Sequence, residues 1–303
     1  MTKATNELVD RLSKFVDKNK YLILFGTMAV GKTYIASAIA MRCALPEYNS
    51  QGELPAGQEK FDVVTEIVPI HPSYFYEDFI SGITIKTQNG QVDFQYEDKI
   101  FLKMLKAANR SWEHKESKKY FLILDDIGRG AISGILGDML SMIEPHGNAD
   151  YRVALRDGTQ VWISPNVYII ATRSTTIEAI EQFNYGFFRH FYDYLIETDF
   201  SYMNDDVHLT FSDYDLSANA MYCRVKQLVS DNMRHRYQIS SAEKSRYIIG
   251  HGIYKDNGIS MVIKYQVIPL LKQYVRDNIL NRTANTGICA LQKLVDGKYS
   301  KDK

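Results

Sequence analysis

The chain carries few groups that would cross-link it or draw it to a charged surface. Its 3 cysteines, Cys43, Cys223 and Cys289, are scattered without a CxxC pair, which leaves out a disulfide framework and a cysteine-based zinc site. A reducing cytoplasm is the expected setting. Charge of one sign is also missing: Lys+Arg and Asp+Glu are equal at 36 each, so no overall field pulls the chain toward nucleic acid or an anionic membrane. Any DNA contact would then be local or made through a partner. No apolar run approaches the length of a membrane span, and residues 1–20 lack the apolar core of a signal peptide. Internal repeats and low-complexity tracts are absent too. What remains is ordinary: 45% hydrophobic and 24% charged residues in a chain of 303 provide for one or two domains with a substantial core. The 21 tyrosines are dispersed and read as half-buried or interfacial side chains rather than a stacking platform.

Against this background one stretch stands out. Gly26-Thr27-Met28-Ala29-Val30-Gly31-Lys32-Thr33 follows the apolar run Tyr21–Phe25 and precedes the apolar-periodic segment Tyr34–Ala40. Strand, glycine-bounded loop and helix in this order form a P-loop in its required setting. The glycines let the backbone close round a β-phosphate with its N–H groups pointing inward. Lys32 then reaches the β/γ oxygens, the Thr33 hydroxyl completes the shell of a Mg²⁺ ion, and the helix N-terminus favours the same anion. Tyr34, next after the motif, is a further candidate for nucleotide contact.

The spacing of Leu8, Val9, Leu12, Phe15 and Val16 predicts an amphipathic helix over Asn6 to Asp17. The motif comes so early that no separate N-terminal domain is expected. A polar loop is expected over Pro46 to Gln58, a strand over Asp62 to Pro69, and a helix capped by Ser73 and running through Phe79. Further on, the reading gives a hairpin over Ile83 to Phe94 around Asn89-Gly90, a helix over Glu97 to Trp112, and a buried strand ending in Asp125-Asp126. It continues with a helix from Ile132 to Ile143, a hairpin around Asp157-Gly158 and a strand over Val167 to Ala171. Alternating strands and helices argue for a parallel-sheet α/β core. Past about Phe200 only helical segments are evident, Leu216 to Met233, Ser241 to Ile249 and Met261 to Leu280. The expected division is therefore a core over 1–200, with 1–20 as its leading helix, and a smaller helical domain over 201–303.

Asp125 and Asp126 at the end of an apolar strand fit a Walker B role. The first carboxylate orients the Mg²⁺ shell, and the second positions or deprotonates the attacking water. A polar Asp-Asp turn is the plainer alternative. Asp126 is one methylene shorter than the Glu usual there, which points to low intrinsic turnover. After the next strand, Thr172 or Ser174 is placed to bond the water or the γ-phosphate, unless these residues only turn the chain. Arg189 lies among Phe187, Phe188 and Phe191. It is a candidate for a charge-stabilising arginine supplied across a subunit boundary, or else a solvated side chain.

Together these motifs resemble the McrB-type AAA+ GTPases, the motor subunits of modification-dependent restriction systems. His71-Pro72-Ser73-Tyr74-Phe75-Tyr76-Glu77-Asp78-Phe79-Ile80-Ser81-Gly82 is similar to that family's H-Q-S-Y-x-Y-E-D-F-I-x-G block. Leu124-Asp125-Asp126-Ile127-Gly128-Arg129-Gly130 resembles I-D-E-I-N-R-G, and Asn166 to Thr172 resembles N-x-Y-I-I-G-T. Ile249-Gly250-His251-Gly252-Ile253-Tyr254 is similar to I-G-H-S-Y-F, and Val267 to Tyr274 to I-I-P-L-L-E-E-Y. The resemblance runs from about Tyr21 to about Leu280. It implies an AAA+ P-loop core followed by a helical lid, sites between subunits of a hexameric ring, and an McrC-like endonuclease partner. By the same resemblance Arg129 joins the catalytic candidates and His251 the nucleotide-binding ones.

The departures are as specific. Asp126 and Gly128 replace Glu and Asn, and Arg173-Ser174-Thr175-Thr176-Ile177 stands where the family has M-N-x-x-D. A DNA-reading domain ahead of the P-loop is not expected, so DNA would be met by a partner or by loops such as Ile83 to Phe94. The nucleotide is left open between GTP, favoured by resemblance, and ATP, because the P-loop contacts phosphates and no Ras-type Asn-Lys-x-Asp tetrad follows. Three functions remain: a GTP-driven ring motor serving a nuclease in antiphage defence, an ATP-dependent protein remodeller, and a nucleotide-gated platform that hydrolyses weakly.

Overall fold

A strand covered on both faces needs apolar side chains at every position, and the chain has such runs at three places. The structure, a computed structural model, describes residues 3–44, 62–88, 91–137, 139–156, 158–175, 189–197, 215–234, 247–254 and 258–297. Two compact units emerge from its packing: Lys3–Phe25 with Lys32–Leu195, and Gly26–Gly31 with Ile196–Lys303. The segment around Phe200, where the composition changes, lies outside the described residues, as do the loop of Pro46 to Gln58, the turn residues Asn89, Gly90 and Asp157, and Phe187 and Phe188.

The first unit runs α1 (Lys3–Asn19), β1 (Tyr21–Gly26), α2 (Lys32–Arg42), β2 (Asp62–Pro69), α3 (Tyr76–Phe79), β3 (Ser81–Gln88), β4 (Gln91–Asp98), α4 (Ile100–Glu113) and β5 (Lys118–Asp125). It continues with α5 (Ile132–Leu136), α6 (Met139–Ile143), β6 (Val153–Ala154), β7 (Gln160–Val161), β8 (Val167–Ser174) and β9 (Tyr192–Leu195). Five strands make one sheet in the order β2-β5-β8-β1-β9, and β2 with β5, β5 with β8, and β1 with β9 pair in parallel. This is the α/β sheet of a P-loop NTPase core, with β8 between the P-loop strand β1 and the carboxylate-bearing β5.

Strand side chains alternate between faces. Ile23, Leu122, Leu124, Ile169 and Ala171 share a buried cluster with Phe79, Phe101 and Leu105. The alternate residues Leu22, Leu24, Phe121, Ile123 and Ile170 are equally buried, and α2 packs on β5 and β8. Each large apolar side chain so enclosed contributes about 1.5–3 kcal/mol, which makes the three central strands the firmest part of the unit. Asp17 at the end of α1 ties that helix down, accepting from the Tyr168 hydroxyl at 2.9 Å and Lys119 Nζ at 2.7 Å.

Several expectations shift in detail. The helix expected from Ser73 begins at Tyr76, because the Phe75 N–H is capped by Asp78 Oδ2 at 3.0 Å. Glu97 and Asp98 belong to β4, and helix α4 starts after them. The single helix expected over Ile132 to Ile143 is two, broken where Gly137 takes φ 46°. The strand expected to end at Ala171 runs on through Ser174.

In the second unit α7 (Ala218–Asn232) starts at Ser217, whose hydroxyl accepts from the Ala220 N–H at 3.3 Å. A 3₁₀ turn follows at His251–Tyr254. Then come α8 (Ile259–Val262), α9 (Ile268–Arg276) and α10 (Ala284–Val295). A π-helical stretch, Ile263–Val267, joins α8 to α9. It lies just ahead of Pro269, whose ring and missing N–H disturb the preceding turn of a regular helix. The expected helix from Met261 to Leu280 is therefore widened in the middle and ends at Arg276. Met221, Val225, Val229, Ile263, Val267, Leu271 and Ile288 are buried in this unit. No helix among the described residues is long and apolar enough to cross a membrane.

Candidate nucleotide site

The P-loop motif divides between the units, and each part is held differently. Gly26–Gly31 packs within the second unit. Its backbone takes left-handed conformations at Ala29, φ 61°, and Gly31, φ 82°. The Gly250 N–H donates to Met28 O at 3.0 Å, and the Gly252 N–H to Ala29 O at 2.9 Å. A Cβ on Gly250 would lie 2.5 Å from Met28 O and 2.6 Å from the Ala29 carbonyl carbon, and one on Gly252 would overlap Ala29 O. Glycine on both sides of His251 is thus required for the approach. His251 itself is 5% exposed.

Lys32 and Thr33 open α2 in the first unit. The Thr33 hydroxyl donates to Asp125 Oδ1 at 2.5 Å, and the Thr172 hydroxyl donates to the same oxygen at 2.7 Å. Thr172 Oγ1 also accepts from the Asp126 N–H at 2.9 Å. This last bond holds Asp126 at φ 57°, a left-handed conformation that short acidic side chains tolerate better than most. The Asp126 carboxylate turns instead to Arg129, whose Nε lies 2.6 Å from Oδ2. Burial pulls the Lys32 ammonium below the ordinary lysine range, with Asp126 and Asp125 opposing the shift.

The structure therefore brings together Lys32, Thr33, Asp125, Asp126 and Arg129 and adds Thr172. Sequence reasoning named Thr172 or Ser174 and placed Ser174 among the catalytic candidates; Thr172 makes the bonds to Asp125 and Asp126, while Ser174 sits two residues further along β8, half-buried. Arg189 is 65% exposed and pairs with Glu144 at 3.3 Å. Its Nε also lies 3.0 Å from the His190 ring. Tyr34 is 57% exposed beside Thr33. Sequence reasoning missed β9. Arg173 reaches Asp193 on that strand at 2.8 Å and lies 4.8 Å from the Phe25 ring centre.

A hydroxyl and a carboxylate converging on one point suit Mg²⁺, which takes one or two protein carboxylates and completes its octahedron with water and phosphate. Among the described residues no group of three or more His, Cys, Asp or Glu side chains could hold a metal. The donor set therefore fits an ion that arrives with a phosphate ligand better than an all-protein cage.

No protein-family model matches the chain. Among solved structures, NtrX from Brucella abortus aligns over 100% of this chain and 52% of its own at 13% identity, with a TM-score of 0.41; at that score no shared architecture is inferred. Among curated proteins, the "Type IV methyl-directed restriction enzyme EcoKMcrB subunit" of Escherichia coli (strain K12) is 30% identical over 188 residues, 60% of this chain. The match spans 36% of that relative's length. Over 188 residues the chain is thus similar to an McrB subunit.

Proposed function

We propose that the chain binds GTP with Mg²⁺ and hydrolyses it as the motor subunit of an McrBC-like restriction system in antiphage defence. In this reading the chain assembles as a hexameric ring and works with an McrC-like endonuclease, DNA being met through that partner or through loops of the ring. The observation that carries it is the convergence of two hydroxyls on Asp125 Oδ1, Thr33 being the last residue of the P-loop motif and Thr172 lying on β8, the strand next to β5. Similarity to the McrB subunit adds support.

Each residue then has a task. Backbone N–H groups of Gly26–Gly31 and the start of α2 cradle the phosphates, and Lys32 neutralises the β/γ oxygens. Thr33 and Asp125 would hold the metal, which when bound offsets charge developing on the phosphoryl oxygens. Thr172 fixes both carboxylate-bearing residues at once, through Asp125 Oδ1 and the Asp126 N–H. Asp126 orients the attacking water and accepts its proton. Arg129 and Arg189 stabilise the charge of the transferred group, Arg189 from a neighbouring subunit.

A second reading is favoured by one contact. Arg129 holds Asp126 at 2.6 Å, so a base already shorter than Glu starts out engaged, as expected of a nucleotide-gated platform with slow hydrolysis. Phosphate release measured with GTP and ATP, with and without an McrC-like partner and DNA, separates the readings. The motor reading expects GTP turnover that rises on adding the partner. Background turnover throughout, with nucleotide still bound, leaves the platform. Particle mass measured with each non-hydrolysable triphosphate tests the ring; a monomer under all conditions contradicts it.

A further inference from the structure

The P-loop explains how phosphates are held and leaves the base unread. A groove of about 680 Å³ beside α2 supplies what is missing. Residues of α1 and α2 line it, and Tyr34, the residue after Thr33, is among them. Tyr34, Ala38 and Met41 line it from α2, and Val9 and Asp10 from α1, with Arg42 also in its wall. The α2 residues fall at i, i+4 and i+7, one stripe of the helix. Tyr34 and Met41 are 57% and 70% exposed, so two large apolar side chains stand open to solvent along one channel. The volume lies in the range of small-molecule sites.

The position selects the occupant. In a P-loop site the loop and first helical turn hold the α- and β-phosphates, so ribose and base extend outward from that turn. Tyr34 is the first side chain past it, with an aromatic face on which a base can stack. Beyond it Arg42 Nε donates to Asp10 Oδ1 at 2.6 Å, with the two side chains 46% and 44% exposed. A guanidinium only donates and a carboxylate only accepts. Guanine presents an acceptor, O6, beside two donors, N1–H and N2–H₂. Adenine presents the reverse order, an N6–H₂ donor beside an N1 acceptor. Arg42 therefore matches O6 and Asp10 matches the two donors, while adenine held in the same orientation would set donor against donor and acceptor against acceptor.

We propose that this groove is the guanine subsite of the nucleotide site, with Tyr34 stacking on the base and the Asp10–Arg42 pair reading its edge. The proposal rests on the nucleotide-binding reading above and deepens it by assigning the base to residues of α1 and α2.

The test is calorimetric titration of the full chain with magnesium complexes of GTP, ATP and inorganic tripolyphosphate, repeated on Tyr34→Ala, Asp10→Asn and Arg42→Gln. The parent is expected to prefer GTP to ATP by about tenfold or more. Asp10→Asn and Arg42→Gln each lower GTP affinity about tenfold and bring the ratio toward one, and Tyr34→Ala weakens both nucleotides. All three keep the parent's affinity for tripolyphosphate, which shows the phosphate end and the fold intact. A parent that binds ATP as tightly as GTP overturns the subsite and leaves the P-loop standing. So do edge variants that keep the parent's GTP-to-ATP ratio, or that lose tripolyphosphate in step with GTP. A parent that binds none of the three ligands removes the nucleotide reading itself, and the subsite with it.

Discussion

Gly26–Gly31 and the two residues that follow belong to one sequence motif, yet they are held by different forces. The loop is fitted by shape: Gly250 and Gly252 bring N–H donors against Met28 and Ala29 where a Cβ would lie within 2.7 Å of backbone atoms. Lys32 and Thr33 are fitted by charge and hydrogen bonding, through Asp125 and the Thr172 hydroxyl behind it. Steric fit fails abruptly, because backbone carbonyls cannot retreat without moving the loop. A polar network fails by degrees, each lost bond in such a site costing about 1–3 kcal/mol. The loop should therefore govern whether nucleotide binds, and the carboxylate corner how it is used.

The largest effect is expected at the steric side. Gly250→Val should lower nucleotide affinity more than about a hundredfold, since its Cβ cannot be placed without displacing Met28 and Ala29. Calorimetry beside a thermal melt checks it, and parent-like affinity would mean that the loop is not braced there. Next, Asp125→Asn keeps shape but removes the charge, so nucleotide affinity in Mg²⁺ should fall about tenfold while affinity in EDTA stays near the parent's. An equal fall with and without the metal would show that Asp125 has no metal role.

Thr172→Val is the sharper probe of graded failure. It frees Asp125 from one of its two hydroxyl donors and leaves the Asp126 N–H unpaired. Turnover should drop about tenfold with affinity changed less than about threefold, and stability should fall by about 1–2 kcal/mol. If affinity falls as far as turnover, the two halves of the motif are not separable. The smallest effect, a control away from both halves, concerns His146. Burial lowers its pKa to about 4, against the Val167 carbonyl 3.2 Å from Nε2. The unfolded chain then takes up this proton first, so stability is lost as pH falls from about 6.5 toward 4. His146→Gln should flatten the melting temperature over that range and leave nucleotide affinity at pH 8 alone. An unchanged acid slope would remove His146 as its source.

Much of this was legible in the chain because the informative residues are local. Tyr21–Phe25 and Tyr120–Leu124 are continuous apolar runs, and continuous runs announce strands buried on both faces. The edge strand β9, Tyr192–Leu195, was missed; its first two residues, Tyr192 and Asp193, are exposed, and an edge strand need not carry an apolar pattern. Asp125 and Thr33 were assigned one metal, and the structure sets them 2.5 Å apart. The choice between Thr172 and Ser174 was not legible, since β8 includes both and only the fold aims one hydroxyl at Asp125. Gly250 and Gly252 carried a signal that was read only as flanks of His251. Their purpose depends on a backbone about 220 residues away in sequence, which no local pattern encodes.

The central claim is that this chain clasps a nucleoside triphosphate through Lys32. Calorimetric titration of the parent and of Lys32→Ala with GTP and ATP in Mg²⁺ tests it most directly. The account predicts saturable binding at one site per chain in the parent and none in Lys32→Ala, with the melting temperature of the variant close to the parent's. A parent silent toward both nucleotides, or a Lys32→Ala chain that binds as tightly as the parent, would contradict it.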